Sequence, residues 1–264
     1  QMVQLTRLDC AIASAGLMRM ALTQAVHHCR HRSVFQKRLY QQPMMRAVLA
    51  DMALDLEGAV ALVMRLCRAL DGAAGDAREA AYARLMTPAV KYRVCKLAPA
   101  FVYEAMECLG GNGYVEESIL PRLYRQAPVN AIWEGSGNVM CLDVLRALER
   151  DQEAADLFGA LAREASENLA GDAAASFFAA TSEAAARALV GRLALLASAA
   201  ALKSSAPPAI AEAFIRSRLV QPHGALYGAD DIDAATAETL LQRVLPEIWR
   251  RGARRTGIAD SENL

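Results

Sequence analysis

The stretch YEAMECLGGNGYVEESILPRLYRQAPVNAIWEGSGNVMCLDVLRAL, residues 103–148, breaks an otherwise helical pattern with glycines and prolines before helix resumes. Gly110, Gly111 and Gly113 open a loop where backbone can approach a partner closely, because glycine carries no Cβ. Pro121 and Pro128 follow, and the chain re-enters helix through WEGSGN around one carboxylate, Glu134. The helix start there offers unpaired N–H groups that favour an anion or an electron-rich ring edge. A carboxylate held at that junction between apolar Ile132 and Trp133 is a candidate general base.

Outward from this stretch the chain reads as helix on both sides. Leu5, Leu8, Ile12, Ala15, Leu22, Val26 and Cys29 recur at three- and four-residue steps and predict a long amphipathic helix over residues 1–30. The basic segment RHRSVFQKRLYQQP, residues 30–43, breaks that period and reads as an exposed turn. Pro43 opens a second long helix carrying Met45, Leu49, Met52, Leu56, Val60, Val63, Cys67 and Leu70, which ends near Asp71. After DGAAGD, residues 79–85 predict a short helical segment. Thr87 and Pro88 then read as the N-cap and first-turn proline of a third long helix, which Pro99 should kink or split. Val139, Leu142, Leu145 and Leu148 mark a fourth. With no sustained alternating, β-branched run in residues 1–150, the expected fold is all-α, an antiparallel up-down four-helix bundle.

Beyond Asp151 the composition shifts toward alanine, and residues 151–264 read as an appended helical module with its own break at residues 170–172. A helix over 204–220 and a last helix over 234–252, carrying Trp249 and ending in RRGARR, complete it.

Composition narrows the function classes. With 29 basic and 29 acidic residues the 264-residue chain has no net charge, so no global field announces nucleic acid or acidic lipid. Six cysteines without a CxxC pair, mostly at apolar helical positions, read as reduced buried thiols of a cytoplasmic protein. No uninterrupted apolar run is long enough to cross a bilayer, no signal peptide opens the chain, and its already amphipathic start points to a piece of something longer. His27 and His31 sit one turn apart, as metal ligands would, but no third ligand motif accompanies them and no metal site is assigned. Ser136 lies in EGSG rather than GxSxG, and GGNG follows a helix without the spacing of a dinucleotide fingerprint.

Taken together the motifs are more specific than any one of them. Arg32-x-x-Phe35, Gln42, LADM at 49–52, LGGNGY at 109–114 and IWEGSGN at 132–138 resemble, in order and separation, the C-terminal helical domain of the FAD-dependent acyl-CoA dehydrogenases. The finer resemblance is to the alkylation-response, AidB-like branch, which SSAPPAIAEAF at 204–214 also resembles. The resemblance implies that Glu134 removes the α-proton of an acyl-CoA thioester while the β-hydride passes to FAD. It further implies that Arg32 and Phe35 reach FAD held by a neighbouring subunit of a homodimer or homotetramer, that Gln42 continues this contact, and that Gly110 and Gly111 approach its adenosine end. Trp133, Gly135, Ser136 and Asn138 would surround the rest of the cofactor. Val34, Gln36, Glu107 and Trp133 stand where relatives commonly carry Thr, Gly, Gln and Tyr. Because the resemblance covers neither the N-terminal helical domain nor the β-barrel domain of that family, this chain alone is expected to bind FAD weakly or not at all. The alternative that the branch implies is double-stranded DNA binding through the extension. There Arg187, Arg192, Lys203, Arg216, Arg218, Arg243, Arg250, Arg251, Arg254 and Arg255 are candidate phosphate contacts.

Overall fold

A computed structural model describes residues 2–166, 182–220, 224 and 226–246. The first four long helices are α1 (Met2–His31), α2 (Pro43–Gly72), α3 (Ala77–Cys108) and α6 (Gly137–Arg150). Between the last two lie a single turn, α4 (Gly111–Tyr114), and a short helix, α5 (Leu120–Gln126). Ion pairs record the directions. Arg65 meets Glu79 near the α2–α3 corner and Arg93 meets Asp55 farther along, so these helices run antiparallel. Arg84 meets Asp143, while Gly137 lies against Lys96 and Tyr92, so α6 runs antiparallel to α3. Cys29 Sγ approaches the Cys108 carbonyl where α1 and α3 end together, which makes that pair parallel. The result is the expected up-down-up-down bundle.

α3 departs from expectation. It starts at Ala77, capped by Asp76, whose carboxylate accepts from Arg78 N at 2.8 Å, and it runs unbroken through Pro88 and Pro99. Thr87 is therefore not an N-cap: its hydroxyl donates back to the Ala83 carbonyl at 2.7 Å. Ala83, Leu85, Met86, Ala89 and Val90 around it are buried, so packing outweighs the missing proline N–H. The basic turn after α1 holds a hairpin, β1 (Ser33–Val34) paired with β2 (Lys37–Arg38).

The extension contributes α7 (Gln152–Ser166), α8 (Ala186–Ser205), α9 (Pro208–Ile215), which continues as a π-helical turn (Arg216–Val220), and α10 (Ala234–Val244). Phe158, Leu189, Leu193, Phe214 and Leu240 are buried in the same apolar cluster as the bundle. α10 ends at Val244, earlier than expected, because Leu245 turns extended ahead of Pro246. The expected break at 170–172, Trp249 and the RRGARR cluster lie outside the described residues. On length and mean hydropathy alone the segment Glu183–Ser205 is apolar enough to span a bilayer, although Arg187, Arg192 and Lys203 interrupt its apolar run. Sixty-one per cent of its best window is buried against the bundle, the pattern of a core helix. All six thiols are free, five of them buried.

Candidate active site

The turn that carries Glu134 is built from both ends. Upstream, the Val129 carbonyl accepts from Ile132 N at 2.9 Å and Trp133 N at 3.1 Å. Downstream, Ser136 and Gly137 begin α6, with no side chain capping its first turn. Between them Glu134 takes φ 57° and Gly135 φ 106°, both left-handed. Gly135's φ favours glycine, and a Cβ there would also come within 2.6 Å of Met140 Cε, which would have to move aside. Arg7 Nε donates to the Glu134 carbonyl at 3.2 Å and Lys91 Nζ to the Gly135 carbonyl at 2.7 Å. Arg7 is itself fixed by Asp143, whose carboxylate also takes Arg84. Burial works against the Asp143 carboxylate, but the hydrogen bonds from Arg7 and Arg84 hold it below its usual range.

Glu134 is exposed. Ile132 is 65% and Trp133 54% exposed, so the expected apolar enclosure of the carboxylate is not made among the described residues. The Trp133 indole lies beside Cys10, whose thiol is raised by burial. Ser136 and Asn138 are exposed at the α6 start, and Asn138 Oδ1 accepts from Arg187 Nε of the extension at 2.8 Å.

Arg32, Phe35 and Gln42 form a second unit. The Arg32 carbonyl closes the hairpin by accepting from Leu39 N at 2.8 Å. Phe35 and Gln36 sit at its tip with φ 52° and 64°, the pair of positive angles a two-residue hairpin loop requires. Phe35 is 91% exposed. Gln42 Nε2 donates to the Val34 carbonyl at 3.2 Å and latches the hairpin to the start of α2. Among the described residues the exposed Arg32 guanidinium has no hydrogen-bond or ion-pair partner.

Gly110 and Gly111 follow the end of α3, at the same end of the bundle as Arg32. Gly110 adopts φ 61° with open space where a Cβ would stand, whereas a Cβ on Gly113 would strike the Met106 carbonyl. Beside this loop opens a groove of about 580 Å³ lined by Tyr103, Met106, Tyr114, Tyr124 and Arg125 among others. Lys91, under the Glu134 turn, and Cys108, beside the glycine loop, are seventeen residues apart on α3, which at helical rise is about 25 Å. The ten sequence-predicted residues therefore fall into two groups at separated places on one bundle. Trp133 to Asn138 form one; Arg32, Phe35, Gln42, Gly110 and Gly111 form the other.

Most of the described candidate phosphate contacts in the extension are already engaged. Arg218, one of them, is a correction: its side chain is fully buried and bonded to Asp51, Asp55 and Asp230. Burial alone would raise Asp55, but Arg218 and then Arg93 hold it below its usual range. Arg243 pairs with Glu57 at 2.6 Å and Arg216 donates to the Asp231 carbonyl at 3.1 Å. Arg250, Arg251, Arg254 and Arg255 lie outside the described residues. Sequence reasoning missed Arg7 and Lys91. A usable signal for Lys91 was a lysine set between Val90 and Val94 on the apolar face of α3; Arg7 left none.

The four long helices and their extension define an all-α, up-down helical-bundle domain. Residues 1–149 match the family model described as acyl-CoA dehydrogenase, C-terminal domain, and the chain belongs to the acyl-CoA dehydrogenase family. AidB of Escherichia coli is 58% identical over 153 residues, covering 58% of this chain and 28% of that protein. The crystal structure of Caenorhabditis elegans ACDH-11 in complex with C11-CoA superimposes with TM-score 0.74 at 27% identity, over 100% of this chain and 48% of that one. An acyl-CoA dehydrogenase from Bacillus anthracis complexed with FAD shares the fold, with TM-score 0.66 at 15% identity over 96% of this chain and 51% of that one. This chain thus spans about half or less of the length of these relatives.

Proposed function

We propose that this chain is the C-terminal part of an FAD-dependent flavoprotein that dehydrogenates an acyl-CoA thioester between its α and β carbons, with Glu134 as the base. The carrying observation is the turn at Glu134, an exposed carboxylate residue at a left-handed φ, whose own carbonyl takes Arg7 and whose neighbour's takes Lys91. The residues fit the cofactor in kind. Arg32 offers an unengaged guanidinium for a diphosphate, Gly110 leaves open space at a positive φ, and the uncapped start of α6 presents N–H groups. Bound flavin supplies the hydride acceptor that no side chain can provide.

The chain's own part is proton chemistry and positioning. Glu134 takes the α-proton of the thioester, whose acidity the adjacent carbonyl provides. Closing the exposed Ile132 and Trp133 against the rest of the longer protein excludes water from the carboxylate and strengthens its basicity. The substrate class draws support from the C11-CoA in the ACDH-11 structure. The separation of the Arg32 hairpin from the Glu134 turn supports assembly, in which one subunit's Phe35 tip completes a site on another. Duplex DNA binding, the second reading, has less behind it, because Arg216, Arg218 and Arg243 are spent on internal contacts.

An anaerobic titration of the whole flavoprotein with acyl-CoA tests the reading. Wild type is expected to lose its flavin absorbance on mixing, and Glu134→Gln to bind the thioester without bleaching. Equal bleaching in both removes Glu134 as the base.

A further inference from the structure

Lys91 is a buried charge on α3 that takes no part in the proposed proton transfer itself. It is 1% exposed on α3, and a buried ammonium is costly unless something holds it. Its bond is to a backbone carbonyl rather than a carboxylate: Nζ donates to Gly135 O at 2.7 Å. The preceding carbonyl, that of Glu134, takes Arg7 Nε at 3.2 Å. Two successive peptide planes are thus tied to cations from two different helices. On the other side Trp133 N is tied to Val129 O. The residue caught between these anchors is Glu134, with φ 57°, a conformation that an L residue adopts at a cost.

We infer that Lys91 is a positioning residue whose buried ammonium, acting through the Gly135 carbonyl, holds the exposed Glu134 in its left-handed conformation. The catalytic half of this inference rests on the reading of Glu134 as the base; the conformational half does not. Strained backbone persists where its surroundings over-determine it, and here those surroundings are one ammonium and one guanidinium. Lysine suits the place because it is long enough to rise from within the α3–α1 packing, and its donors rotate to meet a single acceptor.

The test is nuclear magnetic resonance on the labelled chain with Lys91→Met and Lys91→Arg. Methionine keeps most of the length and removes the donor; arginine keeps a donor. In wild type the Glu134 Cα and Cβ shifts are expected in the left-handed range. In Lys91→Met they move toward those of an averaging turn, with faster deuterium exchange at the Gly135 and Ser136 amides, and Lys91→Arg restores much of the wild-type pattern. Should Lys91→Met fail to fold by circular dichroism, wild type still decides: slowly exchanging Lys91 ammonium protons support the bond, and fast exchange overturns it. In the whole flavoprotein, Lys91→Met is expected to lower kcat by about 10²-fold with KM and flavin content unchanged. Wild-type Glu134 shifts in Lys91→Met, or a wild-type kcat, overturn the inference. A wild-type flavoprotein that leaves acyl-CoA unoxidised counts against the base reading alone, because the resonance shifts report on Lys91 independently.

Discussion

Gly135 and Glu134 divide one strained corner between them. The glycine takes the larger positive angle, φ 106°, where a Cβ would press on Met140, and the glutamate takes φ 57°. Gly135→Ala is therefore expected to cost about 1–3 kcal/mol, read as a lowered urea midpoint, through strain and displacement of Met140. The Asp143 clamp beneath the corner adds a pH dependence. Its folded pKa is depressed, so its contribution is complete above the unfolded value of about 3.9 and is lost as pH falls through the lower folded one. Asp143→Asn should thus destabilise by about 1–3 kcal/mol at pH 7, and the gap to wild type should shrink below pH 4 in urea titrations. A gap independent of pH would show that the two guanidiniums are not what Asp143 contributes.

At the scale of elements, α2 and α3 show what sequence periodicity can and cannot carry. The start of α2 was legible because Pro43 is an unambiguous first-turn residue, and its apolar steps from Leu49 to Val63 are buried as read, apart from Val60. α3 was misread at its start because Thr87–Pro88 is a good local N-terminus signal. The competing fact, that Ala83 and Leu85 to Val90 bury into one core, is tertiary and invisible to local spacing. Likewise the helix expected over 234–252 stops at Val244, where Leu245 turns extended ahead of Pro246. Gly58 is a further tertiary feature: a Cβ there would lie 2.4 Å from the Phe214 ring of α9, so the glycine is a seat for the extension. Gly58→Ala is expected to raise intrinsic α2 propensity yet lower stability by about 1–3 kcal/mol by unseating Phe214. A higher melting temperature in that variant would show that the ring moves aside freely.

At the scale of the whole molecule, a fully buried cation, Arg218, helps tie the extension to the bundle. Arg218 meets Asp51 and Asp55 of α2 and Asp230 of the loop before α10. Tyr227 and Gly228 of that loop return to Asp55 and Asp51 at 3.0 and 2.8 Å. Arg218→Met leaves those carboxylates without their shared partner and is expected to cost about 3–5 kcal/mol, seen as a large drop in melting temperature. In sequence Arg218 was one arginine among many, since nothing local tells a buried cation from a solvated one. By contrast the candidate site residues stand in the sequence as ordered motifs, and the structure gathers them into two local units. Their separation on the bundle was not legible, because motif order carries no distances. Exchange of the substrate α-hydrogen in deuterated water measures directly the proton transfer proposed for Glu134. The whole flavoprotein is predicted to wash deuterium into the α position of a bound acyl-CoA, and Glu134→Gln to lose that exchange while still binding the thioester; exchange at the wild-type rate in Glu134→Gln would contradict it.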